Sequence, residues 1–303
     1  MLLLKTLLPI FVTTVLPVFL VAAGGFTLAS FVSIDSRSVG RLLFYMATPS
    51  LVFRSLYQMH LNYTALQQLT IVAACAGLLT GFIGWVAGYG QERKHRAALV
   101  LTSAVSNNGN MGIPISQFAF GEAGVAFATV YYVVSSFMSN TFGVVVASAG
   151  KMPVTQALKQ SLQVPVLYAA TAGLLLNMAG GKLPEPLFRS IDLLADAAVP
   201  GMLMLMGIQL RSAPIFQGQA LIVRSVVVRL LAGPTIAWLL CLLLGVQGVE
   251  RSVLILQAAM PTAVMTAVLA TEFDIVPRLV ASIIFFSTVI SMVTLSFVLW
   301  LVM

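Results

Sequence analysis

Apolar residues run along this chain in long stretches from the first residues to the last, and no polar block is large enough to fold as a separate soluble domain. A bilayer core about 30 Å thick requires roughly 20 apolar residues per helix. That ruler yields ten candidate spans, at 6–31, 39–58, 65–89, 97–120, 123–147, 162–179, 188–210, 218–245, 252–271 and 277–302. The connections are short and hold the charged clusters, among them GQERKHR at 90–96 and AGKMP at 149–153. The expected fold class is therefore an all-α polytopic membrane protein with ten transmembrane helices. The stretch from Met1 to Ala29 also reads as a signal peptide, with Lys5 before an apolar run. However, the run from Thr6 to Phe31 exceeds an h-region of about 7–15 residues and contains Pro9 and Pro17, which favours a retained first helix.

The two halves resemble each other. RSVGRLLFYMATPSLVF around Pro49 matches LFRSIDLLADAAVPGMLM around Pro200, and FGEAGVAFATV from Phe120 matches FDIVPRLVASI from Phe273. This divides the chain into a first five-helix repeat at 1–149 and a second at 150–303. An odd number of spans per repeat inverts the second relative to the first, and transporters of this architecture bind substrate near the midplane, where the halves meet.

Two spans are interrupted. SNNGNMGIP at 106–114 places three Asn, two Gly and a Pro inside the fourth span, and QAAMPTAVMTA at 257–267 places Pro261 inside the ninth. Pro114 cannot donate to the carbonyl of Asn110, nor Pro261 to that of Gln257, and Gly109 and Gly112 favour irregular backbone. The freed main-chain groups must face protein, water or ligand. In an inverted pair such helices can cross at mid-membrane and aim the positive ends of their half-helices at an anion. The candidate substrate residues are Ser106, Asn107, Gly109, Asn110, Pro114, Gln257, Pro261 and Thr262. The bland reading is that the prolines kink ordinary helices and the Asn residues bond across a helix interface.

Composition changes the picture little. The chain is 59% hydrophobic and 8% charged, with mean hydropathy +1.01, whereas a soluble domain carries about 25% charged residues. The net charge of +7 sits mostly between apolar runs, so it speaks for orientation and against nucleic acid as a partner. With the N-terminus outside, Arg37, Arg41, Arg93, Lys94, Arg96, Lys151, Lys159, Arg211, Arg224, Arg229 and Arg278 fall in the cytoplasmic half, leaving Lys5, Arg54, Lys182, Arg189 and Arg251 outside. Both termini are thus expected on the non-cytoplasmic side of the cell (inner) membrane. Cys75 and Cys241 lie inside apolar runs and read as small hydrophobes.

The segments NNGNMGIPI, VVVRLLAGP, LADAAVPGMLMLMG and LILQAAMPTAVMTAVLATEF resemble the auxin efflux carrier family, which includes plant PIN-formed carriers and bacterial relatives associated with malate or malonate. The likeness extends over essentially the full length. It implies ten helices, a crossover of the fourth and ninth, and usually a homodimer. It further implies a scaffold of helices 1, 2, 6 and 7, against which helices 3–5 and 8–10 move as an elevator-type transport bundle. By the same resemblance Asn107, seven residues before Pro114, holds the substrate carboxylate, and Pro261 is the second crossover proline. Ser106 stands where plant members place the first such proline, and the segment joining the halves, about 148–161, is short. Both departures favour a bacterial-type carboxylate carrier over an auxin carrier.

Ionisable groups inside spans are functional candidates. Asp196, four residues before Pro200, could bind a coupling proton or sodium ion or anchor a helix. Arg229 could neutralise the substrate, pair with an acid, or snorkel to headgroups. Glu272 and Asp274 read as loop charges. His60 and His95 lack partners at metal-ligand spacing, and no cofactor is expected. Ser135, Ser139, Asn140 and Thr141, like Ser287, Thr288 and Ser291, form polar strips suited to helix packing or cavity lining. Gly77, Gly81, Gly84 and Gly88 share a helical face, for close packing within the protomer or at a dimer interface. The expected function is secondary transport of a small organic anion. A channel, a membrane receptor and an intramembrane enzyme are the alternatives, the last disfavoured because no HExxH, GxSxG or acidic cluster is present.

Overall fold

The computed structural model describes residues 2–60, 62–148, 152–211 and 218–303, with side chains from Thr6 onward. Lys151 and the junction between the proposed repeats at 149–150 lie outside the described residues. Regular structure among the described residues is helical, and the sole β contact is an isolated antiparallel bridge between Ser106 and Thr262.

Helices occupy the predicted stretches. Thr6–Phe31, Tyr63–Ala87, Asn108–Ala147, Glu185–Arg211, Gln219–Leu244 and Pro277–Val302 are each long and apolar enough to cross a membrane, and Val154–Ser161 with Pro165–Met178, bent by 60°, makes a seventh candidate. The other predicted spans fall short for identifiable reasons. The helical stretch from Ser36 to Gln58 carries Arg37, Arg41 and Arg54. The fourth and ninth are split, into Arg93–Ala104 before Asn108 and into Gly248–Ala258 before Met265–Glu272. No loop separates the predicted fourth and fifth spans; instead the helix turns at Gly121, whose φ of +62° suits a residue without Cβ.

Four prolines share one device. Pro17, Pro49, Pro114 and Pro234 each sit two residues beyond a five-residue π-helical turn, at Phe11–Val15, Leu43–Ala47, Asn108–Gly112 and Val228–Ala232. Proline removes one N–H and its ring presses on the preceding turn. Widening that turn absorbs the clash and lets the helix continue. Pro114 therefore does not make the break in the fourth stretch, as its position had suggested; the helix has already broken at Val105–Asn107 and restarted before it. A fifth π turn, Ser139–Gly143, has no proline, but Asn140 and Thr141 within it bond back to the carbonyls of Ser136 and Phe137.

Close helix contacts run through glycine. A Cβ on Gly207 would collide with the carbonyl oxygen of Ala22, and one on Gly25 with that of Met204, so these two helices touch backbone to backbone. Gly173 lies against the carbonyl of Phe53. Nearby, Asn177 donates to the carbonyls of Leu56, Tyr57 and Met59 at 2.8, 2.8 and 2.7 Å, capping the helix that ends at Gln58. Arg54 joins the same helix to Glu185–Arg211 through Asp192 and Asp196 at 2.7 and 2.5 Å. The glycine face of Tyr63–Ala87 is an internal contact: Gly77, Gly81, Gly84 and Gly88 all abut Arg93–Ala104, at Ala104, Ser103 and Arg96.

Gly207→Val overpacks a site with no space and is expected to destabilise the protein by about 1–3 kcal/mol, lowering its thermal unfolding temperature in detergent. Gly24→Val, where nothing lies within 4 Å of the added Cβ, serves as the near-neutral control.

Candidate functional site

Breaking a helix frees carbonyls, and inside a membrane each needs a donor. At the first break Thr102 and Ser103 lose their usual i+4 partners, as Ser106 enters the bridge with Thr262 and Asn107 N donates to Pro261 O at 2.8 Å. At the second, Gln257 loses its partner to Pro261, and Ala258 loses Thr262 N, which donates instead to Ser287 Oγ at 3.2 Å. All four carbonyls accept from other segments, Gln257 O in addition to a 3.3 Å bond from Met260 N of its own segment. Thr262 Oγ1 donates to Thr102 O at 2.8 Å, and Asn108 Nδ2 donates to Gln257 O at 2.8 Å. The guanidinium of Arg229 serves the remaining two, with Nη1 donating to Ser103 O at 2.6 Å and Nη2 to Ala258 O.

The two breaks also hold each other. Asn107 N to Pro261 O and Ala263 N to Val105 O, at 2.8 and 3.0 Å, form the antiparallel bridge of Ser106 with Thr262. A chain of side chains reinforces it: Ser106 Oγ donates to Asn108 Oδ1 at 2.7 Å, Asn108 Nδ2 to Gln257 Oε1 at 3.0 Å, and Gln257 Nε2 to Ser116 Oγ at 3.0 Å. Of the candidates named from sequence, Ser106, Asn107, Gly109, Gln257, Pro261 and Thr262 thus meet at one point. Pro114 lies on the helix that leaves it. Asn110 is half-buried and makes none of these bonds.

The two glycines are there for space. Gly109 and Gly112 lie in the π turn that follows the break, and both keep negative φ. A Cβ on Gly109 would come within 2.7 Å of the Tyr132 ring, and one on Gly112 would collide with the Gln257 amide. Gly233 makes the same allowance for Arg229 and Ala258 O.

Asn107 is buried, yet its side-chain amide reaches the thioether of Met206 at 3.8 Å, a weak acceptor. It is the loosely held polar group of the crossover. A small cavity opens beside Ser106, lined also by Tyr131, Ser135, Ser139, Gly77 and Arg229 among others, with about 20 Å³ of free volume, room for a single water. The polar strip of the fifth predicted span therefore lines a cavity through Ser135 and Ser139, and Ser287 of the tenth supports the second break.

Asp196 is not brought to this point. It lies on the helix that carries Met206, ten residues away, or about 15 Å at 1.5 Å per residue, and its partner is Arg54. Arg229 neither reaches the protein surface nor pairs with an acid; it is 2% exposed at the crossover. Asp274 pairs with Lys94 at 2.5 Å, joining the start of the fourth predicted span to the end of the ninth. No cluster of three or more His, Cys, Asp or Glu occurs among the described residues. Sequence reasoning missed Asn108, Thr102, Ser116 and Tyr131. Asn108 stood in the conspicuous NNGN run, whereas the others look like ordinary helix residues.

Comparison with known proteins gives the family. Residues 10–299 match the family described as membrane transport protein. A protein of Methanothermobacter thermautotrophicus named "Uncharacterized transporter" is 30% identical over 86% of this chain and 87% of its own length. A Rhizobium meliloti protein named "Putative malonate transporter" is 25% identical over 95% and 94%, and a rice auxin efflux carrier component 3a is 27% identical over 42% of this chain and 22% of its own. With its matched region running nearly end to end, the chain is a multi-pass member of the membrane transport protein family to which the auxin efflux carriers belong.

Proposed function

We propose that this protein is a secondary transporter of a small organic anion, a carboxylate, bound at the crossing of the fourth and ninth spans. The observation that carries this reading is the backbone bridge between two buried helix breaks. Helices restart immediately beyond each break, at Asn108 and Met265. Some of their first N–H groups are taken by the turn before them, Asn108 N by Ser106 O, Thr266 N by Ala263 O and Ala267 N by Val264 O, while both helix starts present the positive end of the helix dipole. A carboxylate is the natural complement. Asn107, held by a weak acceptor, can exchange Met206 for a substrate oxygen; Asn110 lies one turn further on.

In this reading ten spans form two inverted repeats at 1–149 and 150–303. Both breaks fall in matching spans, and the Lys94–Asp274 pair joins the start of one to the end of the other, which supports the inversion. Spans 3–5 and 8–10 form the moving bundle and spans 1, 2, 6 and 7 the scaffold, in a homodimer of the inner membrane with both termini outside. The glycine contact of the first and seventh spans and the Asn177 cap joining the second and sixth support that grouping. The name of the Rhizobium relative makes malonate a first test substrate. The Arg54 pair supports an anchoring role for Asp196, so a proton or sodium ion, if coupled, is bound elsewhere.

In proteoliposomes, saturable uptake and counterflow of at least one mono- or dicarboxylate are expected, measured under separate proton and sodium gradients. Single-channel currents, or no saturable carboxylate uptake, would overturn the proposal. Asn107→Ala and Asn110→Ala are expected to cut uptake about tenfold or more at unchanged membrane abundance. Asn108→Ala removes the side-chain donor to Gln257 O and Oε1, leaving that carbonyl only the 3.3 Å bond from Met260 N, and should cost about 1 kcal/mol in thermal stability. Asp196→Asn should leave the dependence on proton and sodium gradients as it is in the unsubstituted protein.

A further inference from the structure

Arg229 has no counter-ion. None of the chain's nine Asp and Glu residues pairs with it: the ion pairs among the described residues are Arg54 with Asp192 and Asp196, Lys94 with Asp274, His95 with Glu92, and Arg189 with Glu185. Two helix C-termini solvate its Nη atoms, and their dipoles hold a cation well. Dipoles carry no net charge, so one full positive charge stays buried there. Its Nε is buried without a hydrogen-bond partner, and Arg229 forms part of the wall of the small cavity beside Ser106, Tyr131, Ser135 and Ser139. Every other residue of that wall is uncharged.

We propose that Arg229 is the single fixed charge of the anion site, so that the loaded carrier moves as an electrically neutral unit and accepts its substrate as a monoanion. This rests on the transport function proposed above. The site offers one cation, two half-helix N-termini and hydroxyls. A single carboxylate cancels the buried charge, using the free Nε–H and the hydroxyls of the cavity wall at Ser106, Ser135 and Ser139. A second negative charge would find no cation and would be buried unpaired, at a cost of the kind that empty burial imposes on Arg229. The cavity is lined wholly by spans 3, 4, 5 and 8, so room for the anion must come from side chains giving way inside the moving bundle, since the present space holds a single water. Without substrate the moving bundle carries one positive charge through the membrane. With substrate it carries none.

The test uses proteoliposomes whose potential is set to either sign with valinomycin and potassium gradients. The probes are malonate and its monomethyl ester, which share a skeleton and differ by one charge. Homoexchange of the monomethyl ester is expected to proceed at the same rate at both potentials, and the ester is expected to show the lower KM. Exchange of the ester that changes with potential, or a preference for the malonate dianion, would overturn the proposal while leaving carboxylate transport intact. Absence of saturable uptake of any carboxylate would instead remove the underlying function. Arg229→Gln is expected to raise KM for the ester about 30-fold or more and to make its exchange potential-dependent, whereas Arg229→Lys keeps exchange potential-independent at a raised KM. Should Arg229→Gln fail to fold for want of its carbonyl contacts, the exchange measurements on the unsubstituted protein decide the matter alone. Arg229→Gln with unchanged KM and potential-independent exchange would refute it.

Discussion

Carbonyl groups inside a bilayer have no water to fall back on, and that constraint organises the centre of this protein. Interrupting two helices releases the carbonyls of Thr102, Ser103, Gln257 and Ala258. Each would cost about 1–3 kcal/mol if left without a donor, so the set together rivals the whole stability of an ordinary domain. The donors come from Thr262, Asn108 and Arg229, none of which belongs to the helix it serves. The broken segments are therefore stable only when the two halves of the chain are already assembled, and the residues that stabilise them are the residues that shape the candidate site.

Prolines play two different parts in this architecture. Pro17, Pro49, Pro114 and Pro234 follow π turns and leave their helices continuous, while Pro261 lies within a break and gives its carbonyl to Asn107. The difference is what the local backbone can do with the lost hydrogen bond. Where a wider turn absorbs it, the rod survives. Where a partner backbone stands alongside, bridging replaces it. Pro200 is a third case, carried inside a helix that runs unbroken from Glu185 to Arg211.

Much of this was legible in the sequence. Apolar run length located the helices, and the pairing of the NNGN cluster with the Pro261 segment located the crossing, because polar backbone in lipid demands a partner wherever it occurs. The register of the first break was misread: Pro114 is a conspicuous residue, but a π turn neutralises it, and sequence carries no signal for a π turn short of the proline itself. Gly109 and Gly112 were read as conformational, and their spatial part depends on Tyr132 and Gln257 arriving from elsewhere. Arg229 had three readings from its depth alone. Its actual partners, two backbone carbonyls, belong to no residue type and cannot be found by looking for a complementary side chain.

The crossing also bears on how access to the site could alternate. Separating one half-helix from the other would break both bridge bonds, strip Thr262 and Asn108 from their carbonyls and strand Arg229 between them. A hinge at the crossover would thus lose most of what holds it, several hydrogen bonds at once in a medium that offers no replacement. Displacing the pair as a body, with the span that bears Arg229, keeps all of those bonds and costs only side-chain contacts along the surface that slides. Asn107 is the exception that fits this division: its amide bonds across to Met206 of the Glu185–Arg211 helix, the weakest link at the site and one that a sliding motion must break. At the crossing, the polar bond easiest to give up reaches the other group of helices, and the stronger ones lie within the group proposed to move.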